Sequence, residues 1–193
     1  VSGLTPFQTV GPYLHLGLRA GCVPMTAPGL TTPIAIEGRL LDGDGQGIPD
    51  GALEFWAVGF AMVGRVWTAS DGGYRLDTVK PQTRLDADGV HAPHFAVRVL
   101  GRGILTEYLT RVYFADEPDT GRDVVLAVVP LDRQATLIAV PVAGGTYRFD
   151  VVVQGVGVAL LVQQTRRHVE ADGQPADPEV GGGQRGADRA RVQ

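Results

Sequence analysis

The chain has one cysteine, Cys22, among its 193 residues. A lone thiol excludes an intrachain disulfide and suits a reducing compartment; the cytoplasm is the expected location. Lysine is almost absent too. Lys80 is the only one, and every other basic residue is Arg, a bias that fits GC-rich coding. The formal net charge of -4 is spread along the chain, so no nucleic-acid footprint is expected. No apolar run approaches the ~18 residues of a membrane span, and no membrane association is expected. The opening "VSGLTPFQTVGPY" has neither a basic region nor a long apolar one, so no signal peptide is expected. Serine is scarce: Ser2 and Ser70 stand alone, Ser70 lies in the turn "TASDGGY", and no GxSxG elbow occurs. A Ser or Cys hydrolase has little to work with.

What the chain does have is apolar alternation. Hydrophobic residues make up 44%, enough for a core, while Gly and Pro, 27 and 13 of them, punctuate short runs. Ile34, Ile36, Gly38 and Leu40 alternate with Ala35, Glu37 and Arg39. Phe95, Val97 and Val99 alternate with His94, Ala96 and Arg98. The same period marks residues 74–77 and 146–153. Further strands are expected at 52–57, 63–68, 104–114 and 156–162. Period two sends successive side chains to opposite sheet faces. Many short strands between turn signals predict an all-β fold, an antiparallel β-sandwich over residues 34–163. Residues 122–139 suggest short helical turns separated by Pro130, with Asp132 as an N-cap. An N-terminal arm and loop (1–33) precedes the sandwich. A polar, Gly-rich tail (164–193) follows, too poor in apolar side chains to offset its ordering entropy.

Three stretches invite chemistry. "DGDGQG" (42–47) opens like a calcium loop, but the twelfth position is Leu53, so a hairpin turn is the better reading. "VHAPHFAVRV" (90–99) holds His91 and His94. Two His at i and i+2 of a strand could share a metal, yet two residues beyond His94 stands Ala96, and His91 lies before Pro93, off that face. Read alone, His94 is a satisfied structural histidine. "QTVGPYLH" (8–15) cannot continue a central strand; it is an ordinary loop or an arm reaching another surface.

The ordered set "TPFQTVGPYLH", "GALEFWA", "GGYRLDTVKP", "APHFAVRVLGRGILTEYLTRVYFADEPD", "ATLIA" and "YRFDVVVQG" resembles the intradiol aromatic ring-cleaving dioxygenases. The resemblance runs from about residue 5 to 162, and it implies a non-haem Fe(III) held by two Tyr and two His. The family's His-x-His pair falls on His94 and Ala96. One ligand Tyr would follow "KP", but "KPQTRLDADG" has none; the other would lie in "AVGFAMVGRVWTAS", which has none. The resemblance is therefore to the family's non-iron alpha chains, with no metal expected here and His94 as a remnant. It implies an iron-bearing beta subunit as partner, which holds the Fe(III). It also implies 3,4-dihydroxybenzoate and O2 as substrates of the complex. Thr9, Gly11, Pro12, Tyr13 and Arg111 would then form wall lent to the partner's pocket, Arg111 attracting the substrate carboxylate. Two rival readings are a transthyretin-like β-sandwich binding module and a different metal at His91 and His94.

Overall fold

The structure is a computed structural model that describes residues 11, 16, 32–57, 62–104 and 107–154. The expected strand at 156–162, the tail and nearly all of the arm lie outside the described residues. Among the described residues, eleven strands dominate: β1 (Pro33–Leu41), β2 (Ala52–Ala57), β3 (Met62–Trp67), β4 (Gly73–Val79), β5 (Arg84–Asp86), β6 (Gly89–His91), β7 (His94–Leu100), β8 (Tyr108–Phe114), β9 (Ile138–Pro141), β10 (Thr146–Arg148) and β11 (Val151–Val152). No helix among the described residues is long and apolar enough to cross a membrane.

One sheet takes all strands but the β5–β6 hairpin. It runs β1, β10, β9, β8, β7, β2, β3, with β4 also on β1. β10 and β11 follow each other along β1 in one register. The end strands β3 and β4 approach each other, so the sheet nearly closes on itself.

The antiparallel expectation needs correcting. β1 pairs with β10 and β11 in parallel, and so does β8 with β9. Alternation assigns faces, not direction. A parallel pair needs a crossover of a dozen or more residues, and the segment between β8 and β9 supplies one. It carries 3-10 turns at Thr120–Arg122, Leu126–Val128 and Ala135–Leu137, and one α-helical turn at Leu131–Gln134. Pro130, not Asp132, takes the N-cap position of that turn, and Asp132 lies within it.

"DGDGQG" is a turn, held by the Asp42 carboxylate accepting the N–H groups of Asp44 and Gln46. It reverses the chain as a short hairpin turn, Leu41 bridging Gly47 in antiparallel fashion and the Ile48 N–H donating to the Leu40 carbonyl, although β2 itself does not pair with β1. The strand expected from 104 starts only at Tyr108. The run 146–153 breaks between Arg148 and Val151, where the Asp150 carboxylate, not a carbonyl, accepts the Arg39 N–H at 2.8 Å.

The core lies between the two arms of the folded sheet. Leu53, Phe55, Phe95, Val97, Val99, Val112 and Phe114 meet Ile34, Ile36, Leu40, Leu76, Tyr147 and Val151. A chain of rings crosses it: Phe55 to Phe95 at 6.1 Å, Phe95 to Phe114 at 6.2 Å, and Phe114 to Tyr147 at 4.9 Å, all edge-on. Edge-on pairs add about 0.5–1.5 kcal/mol each beyond the area they bury.

Candidate functional site

The same alternation that sends Phe95, Val97 and Val99 inward turns His94, Ala96 and Arg98 to the opposite face of β7. Directly opposed residues of an antiparallel pair share a face. On β8, Tyr113 opposes His94 and Arg111 opposes Ala96. On β2, Trp56 opposes Ala96 and Glu54 opposes Arg98. The outer face therefore gathers His94, Tyr113, Arg111, Ala96, Trp56 and Glu54. Its His94 end is buried, and Tyr113 there packs with Ala92, Leu126 and Leu137. Its Trp56 end is open, the indole 44% exposed.

The His94 Nδ1 lies 2.7 Å from the Ala92 carbonyl, so Nδ1 carries the proton and Nε2 the lone pair. Nε2 has no partner among the described residues. His94 is thus only half satisfied, unlike the structural histidine that the sequence suggests. Burial first, and the Arg111 cation second, lower its pKa to about 4. It is a neutral imidazole at neutral pH, as a metal ligand must be.

The surrounding donors do not suit ferric iron, which wants anionic oxygens. Ala96 offers a methyl group. The Tyr113 hydroxyl donates to Asp123 at 2.9 Å, and burial raises its pKa, so the phenolate is disfavoured. The nearby Arg111 guanidinium repels a cation. His91 directs its Nε2 to Asp88 at 3.0 Å and to Asp86 at 3.6 Å, and these three could hold an ion. Asp86 is already paired with Arg84. His91 therefore groups with the two aspartates of its own hairpin.

Arg111 is the reactive-looking element. Its Nη1 donates to the Tyr113 hydroxyl at 3.2 Å and lies 3.9 Å from the Asp123 carboxylate. Asp123 is fully buried and already accepts from the backbone N–H groups of Ala92, Val125 and Leu126. Its charge is shared among many donors. Arg111, with 22% of its side chain exposed, has no other hydrogen bond among the described residues. Most of its five donors stay open to an anion.

Farther along, Glu54 is buried between Arg65 and Arg98, and Arg98 also bonds Glu107 at 2.8 Å. An open groove of about 430 Å³ lies elsewhere, lined by Ile138, Val140, Arg148, Asp150 and Val152; its Arg148 and Asp150 pair with each other.

Of the two described residues expected to line a pocket, Arg111 lies on this face. Gly11 is described and exposed, with nothing within 4 Å of an added Cβ. Thr9, Pro12 and Tyr13 lie outside the described residues. Tyr113, Asp123 and Glu54 went unread in the sequence. The i, i+2 spacing of Arg111 and Tyr113 was the available signal for the first. Asp123 before "VVLAVV" was the signal for the second, since Asp commonly caps the N–H groups of a following turn.

The chain is 39% identical over 185 residues to a protocatechuate 3,4-dioxygenase alpha chain from Burkholderia cepacia, covering 78% of this chain and 92% of that one. It is 35% identical over 188 residues to the Pseudomonas putida protein of the same name, covering 79% and 92%. The chain belongs to the protocatechuate 3,4-dioxygenase alpha-chain family. Membership decides against the transthyretin-like alternative and makes this chain one subunit of a multi-chain dioxygenase. No protein-family model matches the chain. The fold is that of the intradiol dioxygenases. Catechol 1,2-dioxygenase from an Acinetobacter species superposes with a TM-score of 0.54 at 18% identity, covering 68% of this chain and 56% of that one. Hydroxyquinol 1,2-dioxygenase from Pseudomonas putida gives 0.54 at 16% identity, covering 65% and 57%. The chain thus spans little more than half the length of these solved structures.

Proposed function

We propose that this chain is the non-iron subunit of a cytoplasmic protocatechuate 3,4-dioxygenase, paired with a beta chain that holds the Fe(III). The alpha-chain relatives, matched over 92% of their length, carry this reading. The complex breaks the ring bond between the two hydroxyl-bearing carbons of 3,4-dihydroxybenzoate. Both atoms of O2 enter the product, 3-carboxy-cis,cis-muconate. The donor set around His94 supports an iron-free role for this subunit, since Ala96, a protonated Tyr113 and a cationic Arg111 oppose ferric ligation. We read the folded sheet as a flattened sandwich of residues 34–163, with 1–33 as an arm and 164–193 as a tail.

Arg111 is our candidate for the substrate carboxylate, with Thr9, Gly11, Pro12 and Tyr13 as further wall. A carboxylate meeting the open guanidinium gains a charge-assisted hydrogen bond of about 1.5–3 kcal/mol. The carboxylate does not react, so this binding is common to ground and transition states.

Two measurements test the reading. The chain purified alone and the chain co-purified with its beta subunit are assayed for iron and visible absorption. The colour and the iron are expected with the beta chain; stoichiometric iron in the isolated alpha chain overturns the assignment. Arg111→Ala in the complex is expected to raise KM for protocatechuate about 10- to 100-fold, with a smaller change in kcat. Catechol, which lacks the carboxylate, should lose much less. Equal losses for both substrates remove Arg111 from the pocket.

A further inference from the structure

Arg111 does not hold itself in place. It lies on β8, and neither Arg98 nor Glu54 on the same face bonds it among the described residues. What fixes it comes from beneath. The buried Asp123 carboxylate gathers the crossover segment through the N–H groups of Val125 and Leu126, and ties it to the start of β7 through the N–H of Ala92. The same oxygen that holds Val125 and Leu126 accepts the Tyr113 hydroxyl at 2.9 Å. That leaves the phenol oxygen to accept only from Arg111, at 3.2 Å. Each group has one orientation that satisfies the next. Burial keeps the Tyr113 proton on its oxygen, so the chain of donors does not reverse.

We infer that Tyr113 and Asp123 are positioning residues, a buried phenol and carboxylate that aim the Arg111 guanidinium at the carboxylate of the aromatic substrate. The inference rests on the proposed role of Arg111 and adds what makes that role precise. A guanidinium on a flexible stem loses rotamer entropy when it binds. Tyr113 removes part of that loss in advance, and the Asp123 carboxylate, 3.9 Å from Nη1, biases the fork while the Ala92, Val125 and Leu126 N–H groups share its charge.

The test is steady-state kinetics of the reconstituted alpha–beta complex with protocatechuate and with catechol. Five forms of this chain are compared: wild type, Tyr113→Phe, Arg111→Ala, the Tyr113→Phe/Arg111→Ala double variant and Asp123→Asn. Tyr113→Phe keeps the ring against His94 and removes only the hydroxyl. It should raise KM for protocatechuate about 3- to 10-fold, with kcat changed less and the catechol KM within about twofold. In the double variant, Tyr113→Phe should add nothing to the effect of Arg111→Ala, because it acts through Arg111. Asp123→Asn, which keeps an acceptor oxygen and loses the charge, should follow Tyr113→Phe in the same direction. A Tyr113→Phe effect that persists undiminished in the Arg111→Ala background, or no effect in either background, overturns the positioning role even where Arg111→Ala alone shows the carboxylate-dependent loss. If Arg111→Ala hurts both substrates equally, the pocket role of Arg111 is what fails. The cycle then still decides whether Tyr113 works through Arg111.

Discussion

The Lys80 ammonium donates to the Tyr147 hydroxyl at 2.9 Å and stands 4.9 Å from the centroid of the same ring. It is also 4.9 Å from the Phe114 ring, 3.1 Å from both Asp116 oxygens and 2.6 Å from Glu117. The only lysine of the chain thus joins the end of β4 to β10 and to the turn after β8. Burial works against its charge, but hydrogen bonds to Glu117, Tyr147 and Asp116 outweigh it and raise the pKa. Burial also works against the Asp116 charge, and hydrogen bonds from Tyr147 and Lys80 hold its pKa below the ordinary value.

Lys80→Met should therefore cost about 1–3 kcal/mol near neutral pH, reduced from the fully buried case because Asp116 is partly exposed. The raised lysine pKa contributes below the unfolded value and is lost only as pH climbs through the folded one. The depressed Asp116 pKa contributes above the unfolded carboxylate value and is lost as pH falls. Both contributions are present near neutrality. Denaturant melts of the two forms should diverge there and converge as pH drops below about 4.

Gly38 faces the carbonyl oxygen of Phe149, which would lie 1.8 Å from an added Cβ. The same oxygen accepts the Tyr74 hydroxyl at 2.5 Å. Gly38→Ala must push β1 away from the 146–152 segment and loosen the Arg39–Asp150 bond beside it. A loss of about 2–3 kcal/mol is expected in urea melts. Tyr74→Phe, which removes only the hydrogen bond, should cost about 1–2 kcal/mol.

These two sites mark how far the sequence could be read. Alternation identified the inward faces, because a half-buried strand cannot hide its period: Phe95, Val97 and Val99 line the core as expected. It could not give strand direction. The parallel β8–β9 pairing depends on how the Thr120–Leu137 turns carry the chain across, which is a tertiary matter. The interruption at Phe149 depends on Gly38 and Asp150, far apart in sequence from each other. At the candidate site, the strand positions of Ala96 and Arg111 were legible in the sequence. The relay from Asp123 was not, because its partners Ala92, Tyr113 and Val125 come together only when β7, β8 and the crossover pack.

Glu54 gives a contrast between a buried and an exposed charge. It lies under two arginines, Arg65 Nε donating to it at 2.8 Å and Arg98 Nη1 standing 3.7 Å away as an ion pair. Glu54→Gln keeps the shape and removes the buried carboxylate that both cations share, while Arg98 keeps Glu107. It should cost about 1–3 kcal/mol. Glu107, half-exposed, bonds only the outer side of Arg98. Glu107→Gln should cost under about 1 kcal/mol and lose even that in high salt. Equal effects would mean that the Glu54 cluster is screened like the surface pair.

His94 offers the sharpest pH test. Its folded pKa is lowered to about 4 by burial and by Arg111, while an unfolded imidazole titrates near about 6.5. Between these values the unfolded chain binds a proton that the folded chain refuses. Stability must therefore fall as pH falls through this window, by up to about 3 kcal/mol at its lower end. Above about pH 6.5 the contribution is complete and flat. His94→Asn removes the titration and leaves a donor near the Nδ1 position for the Ala92 carbonyl. The variant should be less stable than wild type near neutrality, because Asn fills less of the buried site. Its stability should also fall less steeply on acidification, by about one proton in the slope of unfolding free energy against pH. Arg111→Ala should move the wild-type window upward, since removing the neighbouring cation lets His94 accept its proton sooner. Unchanged slopes in both variants would show that the imidazole is hydrated in solution and not held neutral by its surroundings.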